Sequence, residues 1–111
     1  MEDRELLKLA AKAAGYQYEK FGGYVVINGV PRNWNPLADD GDAFRLAVKL
    51  RIVHSNPPGT MIGYIKAYGA VFDGETLMRK VFADELIGGD RYAATRRSIV
   101  RVAAEIGRYM K

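Results

Sequence analysis

The chain contains no cysteine. That excludes disulfides, thiolate metal sites and a cysteine nucleophile, and it fits a reducing compartment. Histidine occurs once, at His54, with no acid or nucleophile beside it that would suggest a catalytic triad. A structural or surface role is therefore expected for it. The chain has no long apolar run of the kind a membrane span requires, and Glu2, Asp3 and Glu5 precede Leu6 where a secretory signal would be basic and then apolar. Its glycine pairs, Gly22-Gly23 and Gly88-Gly89, match neither a phosphate-cradling loop nor a dinucleotide fingerprint. Asp39, Asp40 and Asp42 lack the alternating ligands and terminal glutamate of a calcium loop. No catalytic residue, metal site or cofactor is expected, and an enzyme would need an unfamiliar arrangement of Asp39, Asp40 and His54.

What is present suits one ordinary globular unit. The 111 residues fit a single domain spanning 1–111, and 49% hydrophobic with 27% charged residues excludes a disordered or fibrous chain. The formal charge of +4 is unevenly distributed. Residues 91–111 carry six basic groups (Arg91, Arg96, Arg97, Arg101, Arg108, Lys111) against Glu105, so the remainder of the chain is close to neutral. This cluster either attracts phosphates or an acidic partner, or forms the solvated back of an amphipathic helix.

Three helices are expected. The spacing of Leu6, Leu9, Ala10 and Ala13, with acids at the start and Gly15 as a stop, predicts a helix over about 3–14. Ala43, Leu46, Ala47 and Leu50 predict a second over 40–50, capped by Asp39 or Asp40, with Asp42 in its first turn and Arg45 and Lys49 facing water. The third runs from Arg91 to Tyr109 behind Asp90, with Tyr92, Ile99, Ala103, Ile106 and Met110 on one face, the arginines opposite, and Glu105 paired with Arg101.

The rest reads as antiparallel strands. Tyr16, Tyr18, Phe21 and Tyr24 to Ile27, punctuated by Gly22-Gly23 and Asn28-Gly29, predict a meander whose third strand is short and pushed to an edge by Pro31. Residues 51–54 are expected as a strand, Ser55-Asn56-Pro57-Pro58-Gly59 as a turn, and Met61 to Phe72 as a long strand with Ile62 and Tyr64 on one side. Gly63 and Gly69 in that strand signal a bulge or a close approach. After the Asp73-Gly74 turn, 76–82 is a strand, although Leu77, Met78, Val81 and Phe82 also fit a helical face. Leu86 to Gly89 is a connector. The expected fold class is α+β: an antiparallel sheet of about four to six strands packed with three helices as a helix-sheet-helix sandwich.

Two groups of residues are candidates for binding. Trp34 lies among Arg32, Asn33 and Asn35 in a loop, where an aromatic face beside amides can stack on a base or anchor a protein partner. The alternative tucks Trp34 over the start of the second helix, with the asparagines satisfying turn backbone. Asp40 beside that loop, and Arg97 and Arg101 on the last helix, complete the set. Nucleic-acid recognition calls for basic residues interleaved with exposed aromatics, whereas here the arginines fall on a helix and the tyrosines on strands.

The stretches Trp34 to Leu50 and Arg91 to Arg108, with the opening Glu5 to Gly15, resemble small bacteriophage and prophage proteins grouped as the phage ABA-sandwich domain family. The resemblance leaves residues 52–89 unmatched. It implies helix-sheet-helix layering, phage or prophage origin and action in the host bacterial cytoplasm. It supplies no catalytic motif. The function expected in that context is a non-enzymatic accessory protein that counters host antiviral defence, by binding a host bacterial protein or by sequestering a nucleotide-type signal. A nucleic-acid-binding regulator using the basic C-terminal helix is the alternative, no membrane partner is expected, and a homodimer is open.

Overall fold

The structure, a computed structural model, describes residues 2–19, 23–55 and 63–110. Its order is α1 (Asp3–Ala14), β1 (Gln17–Glu19), β2 (Tyr24–Ile27), β3 (Val30–Asn33), α2 (Asp40–Leu50), β4 (Val53–Ser55), β5 (Tyr64–Asp73), β6 (Thr76–Leu86) and α3 (Arg91–Tyr109). The fold class is α+β, with three helices. Of the turn expected over Ser55–Gly59, Ser55 instead ends β4, paired with Lys66, while the rest of it, the Met61 and Ile62 positions, and Phe21 and Gly22 lie outside the described residues.

The helix ends follow their local chemistry. Asp39, rather than Asp40, caps α2: its carboxylate accepts from the Asp42 N–H at 2.8 Å. Asp90 caps α3 through the Ala93 N–H at 3.1 Å. Gly15, at φ +80°, turns the chain out of α1, a conformation that glycine adopts without a Cβ penalty. Each aspartate satisfies a backbone donor that the helix cannot. Asp39→Ala and Asp90→Ala are therefore each expected to lower stability by about 1 kcal/mol in urea unfolding, with the slope unchanged.

The strands form two three-stranded antiparallel sheets, ordered β1-β2-β3 and β4-β5-β6. This corrects the expectation of one sheet of four to six strands. At β3, Pro31 has no N–H to donate and all four residues are exposed, so the first sheet ends there and α2 intervenes before β4. Asn28 (φ 52°) and Gly29 (φ 80°) make the tight turn from β2 to β3, both residues taking the positive φ such a hairpin needs.

Two strand boundaries also move. Arg51 adopts φ 58° as the C-cap of α2, so β4 begins at Val53. β6 continues past 82 to Leu86, because Val81, Ala83 and Glu85 keep alternating onto the inner face. The pairing of β5 with β6 carries an irregularity at Val71/Phe72, where Arg79 and Leu77 oppose them and Met78 is the extra residue.

Helix α3 is the centre of the packing. On one side it crosses the inner face of β4-β5-β6, and on the other it meets α1 and α2. Gly69 of β5 allows this approach, since a Cβ there would stand 2.6 Å from Val102 Cγ1 and 3.2 Å from Ile106 Cδ1. Gly107 does the same for α1, whose Leu9 carbonyl it faces. A single apolar cluster joins Leu6 of α1, Val25 of β2, Trp34, Leu46 of α2, Val71 of β5 and Val100 of α3. Tyr92, expected on the buried stripe of α3, is 71% exposed, because the first turn extends beyond the core.

The helices cover only one face of β4-β5-β6. On the other face Val53, Tyr68 and Phe82 are exposed, and no helix among the described residues lies over them. The single chain therefore does not build the expected helix-sheet-helix layering around this sheet.

Candidate functional site: an arginine-lined groove beside an edge strand

The residues singled out from sequence fall in two places. Arg32 and Asn33 are exposed on β3. Trp34, which follows them, is buried, with its ring edge-on to Tyr16 (6.0 Å between centroids) and Tyr18 (6.3 Å). Of the two readings of Trp34, the buried one beside the start of α2 holds and the exposed stacking platform does not, because the aromatic residues of the first meander enclose the indole. Asn35 organises the turn: its side-chain carbonyl accepts from Leu37 N–H at 3.1 Å, and its own N–H donates to Asp42 at 2.9 Å. The cavity beside Trp34 and Arg32 holds about 40 Å³, close to the size of one water molecule.

Asp40 belongs to a structural tie. Its carboxylate lies 2.6 Å from Arg96 Nη1, and Arg96 Nε donates to the Leu37 carbonyl at 2.9 Å. Arg96 thereby fastens the loop before α2 onto α3. The side chain was not singled out from sequence, since its partner is 56 residues away.

Arg97 and Arg101 come together elsewhere, on the wall of an open groove of about 690 Å³ between α1, α3 and β6. Its lining includes Leu6 from α1, the 79–83 stretch and Glu85 from β6, and Arg97, Arg101 and Glu105 from α3. Arg101 Nη1 donates to Glu85 at 2.6 Å and to the Asp84 main-chain carbonyl at 2.7 Å. Arg97 lies 3.6 Å from the other Glu85 oxygen and 3.1 Å from Asp3. Glu85 is held between two guanidinium groups. Arg79 stacks over the Tyr109 ring at 4.5 Å and donates to its hydroxyl. Glu105 pairs with Arg108 at 3.5 Å rather than with Arg101.

The basic face of α3 is thus neither a free cationic stripe nor a solvated back. Arg97 and Arg101 retain 39% and 42% side-chain exposure, so each pair contributes at most about 1 kcal/mol and can be exchanged for an incoming anion. The pairs fix the orientation of the guanidinium groups before a ligand arrives, which lowers the ordering cost of binding.

β6 is an edge strand. Its Asp84 carbonyl points away from β5 to Arg101, and by antiparallel alternation the main-chain groups of Phe82 and Lys80 face the same way. The groove therefore combines open backbone donors and acceptors with three guanidinium groups. That combination suits an extended acidic segment. The sequence signal for it is the alternation Arg79, Val81, Ala83, Glu85 on the inner side of β6, which a strand ended at residue 82 cuts short before Ala83 and Glu85.

His54 is exposed on β4, opposite Ala67. Among the described residues no group of three or more His, Asp or Glu is placed to hold a metal ion, and no helix is long and apolar enough to cross a membrane. Fold and groove together define a small α+β domain with an arginine-lined groove. No family model, curated protein or solved structure matches the chain.

Proposed function

We propose that the chain is a non-enzymatic accessory protein of phage or prophage origin that acts in the bacterial host by binding a defence protein through the α1–α3–β6 groove. The observation that carries the binding reading is the convergence of Arg79, Arg97 and Arg101 beside the free edge of β6. An acidic, extended segment of the partner would pair with the edge and displace the weak intramolecular ion pairs. The phage origin and the target in host defence rest on the resemblance of the N-terminal half and last helix to the ABA-sandwich family.

Sequestration of a nucleotide signal uses the same guanidinium groups and is the second reading. It is less favoured because the only aromatic side chain lining the groove, Phe82, belongs to the outer face of the sheet, and Trp34 is buried, so a base has no stacking surface there. The nucleic-acid alternative loses support because α3 is packed on two sides, against β4-β5-β6 and against α1 and α2, and so does not stand clear to enter a groove of a duplex.

The test is to express the chain in bacteria that each carry one defence system, and to plate a sensitive phage. Plating is expected to be restored by the wild-type chain in at least one strain. It should fall back at least about tenfold with Arg97→Glu/Arg101→Glu, and separately with Arg79→Glu, which makes no ion pair with Glu85. No rescue in any strain, or equal rescue by all three proteins, would overturn the reading. Native mass spectrometry of the purified chain separates the occupants, since a retained nucleotide-sized mass selects sequestration.

A further inference from the structure

We infer that the outer face of β4-β5-β6 is a homodimer interface, in which two copies of the chain pack sheet on sheet about a two-fold axis that crosses the strands at Phe82. This inference does not rest on the groove, which lies at the edge and on the inner side of the same sheet and shares Lys80 and Phe82 of β6 with the outer face.

The face is built in rungs, because residues opposite one another on antiparallel strands share a side of the sheet. The middle rung is Val53, Tyr68 and Phe82, exposed at 62%, 47% and 63%. To one side of it lies the rung Ser55, Lys66 and Asp84, and to the other Ala70 with Lys80. The outermost rungs are apolar again: Tyr64 with Leu86 at one end, Phe72 with Leu77 at the other. Within the chain Lys66 lies 3.5 Å from Asp84 and 5.2 Å from the centre of the Phe82 ring, and the Asp84 side chain keeps 49% exposure, open to a second cation.

This order is self-complementary under one particular symmetry. A two-fold axis perpendicular to the strands and through the middle rung lays Phe82 on Phe82 and Tyr68 on Tyr68. It sets the Leu86 end of one copy over the Phe72 end of the other. Asp84 of each copy then comes over Lys80 of the other, giving two opposite-charge contacts per dimer. An axis along the strands would instead place Lys66 over Lys66. The charge pattern therefore selects the first arrangement, which is the aligned face-to-face packing of a β-sandwich, with strands crossing at about 30°.

The area is sufficient. The six exposed apolar side chains of the face present on the order of 600 Å², at the upper limit of what a soluble monomer leaves uncovered. Tyr64 and the charged residues bring the face near the roughly 800 Å² per partner of a stable interface. A second copy adds its own sheet and then its own helices, so the dimer is layered helix-sheet-sheet-helix and the outer face of each sheet is covered.

Sedimentation equilibrium across the micromolar range tests this. The wild-type chain is expected at twice the 12.4 kDa chain mass, and Phe82→Lys, on the axis, at the chain mass with unchanged far-ultraviolet circular dichroism. Lys80→Asp and Asp84→Lys each bring like charges together twice, and each should weaken self-association at least about tenfold. Mixed together, those two variants should recover the wild-type affinity as a heterodimer. A monomeric wild-type chain would overturn the inference. So would a dimer indifferent to Phe82→Lys, or charge variants that show no preference for each other.

Discussion

Replacing Gly107 with alanine is expected to destabilise the domain by at least about 3 kcal/mol, read as a lower urea midpoint at constant slope. Helix propensity alone points the other way, since Gly→Ala in a helix interior gains about 1 kcal/mol. Packing decides the sign. A Cβ at Gly107 would stand 2.0 Å from the Leu9 carbonyl oxygen, 2.9 Å from its carbon and 3.3 Å from the Ala13 nitrogen. All three are backbone atoms of α1, so no rotamer change relieves the overlap and the helices must separate. Their contact is lined by small residues, with Ala10, Ala14, Ala103 and Ala104 all buried, and separation would open it along its length. A loss of this size is a large fraction of the roughly 5–15 kcal/mol that holds a domain of this kind together. Gly89→Ala is the control: a Cβ there meets nothing within 4 Å, its φ is not positive, and its effect should stay within about 0.5 kcal/mol. Equal stability of Gly107→Ala and wild type would show that α1 and α3 do not approach as described.

What could be read from the sequence was local. The periodicity of Leu6, Leu9, Ala10 and Ala13, of Ala43, Leu46, Ala47 and Leu50, and of Ile99, Ala103 and Ile106 marks three helices, although Leu9, Ala13 and Leu50 are only half-buried, and Asp39, Asp90 and Gly15 bound them as their local chemistry requires. Asn28-Gly29 and Asp73-Gly74 mark hairpins because Asn28, Gly29 and Gly74 take the positive φ that such turns need. The division into two sheets was not legible, since which strands pair is settled by contacts distant in sequence. β6 shows the difficulty. Its extra residue, Met78, shifts the alternation and leaves Leu77, Met78, Val81 and Phe82 at helical spacing. Of the candidate site, Arg97 and Arg101 were legible as binding residues, but their setting was not. On a helical projection Arg96, Arg97 and Arg101 are simply the side opposite the apolar stripe, but in space Asp40 meets the first and Glu85 holds the other two. Their partners lie on α2 and β6, and only the fold brings them together.

Trp34→Ala is expected to cost about 3–5 kcal/mol, the range for emptying a buried tryptophan site. Trp34 is 7% exposed and belongs to the same apolar cluster as Val25 and Leu46, with Tyr16 and Tyr18 packed against it. Its ring meets Tyr16 at 90° and Tyr18 at 68°, edge-to-face contacts that add to the burial itself. Removing the indole would expose both tyrosines and detach the first sheet from α2, to which Trp34 connects it. Trp34→Phe retains an aromatic ring in the site and should cost clearly less. Because the chain has a single tryptophan, its fluorescence reports this position alone. The folded protein should emit at short wavelength, resist iodide quenching, and shift to the red in the same urea transition that removes the circular dichroism signal. A surface anchor would behave oppositely: quenchable and red-emitting in the folded state, with Trp34→Ala weakening partner binding while leaving the midpoint in place. The burial of Trp34 predicts that any loss of binding in Trp34→Ala follows the loss of folded protein, whereas Arg97→Glu/Arg101→Glu loses binding with the fold retained.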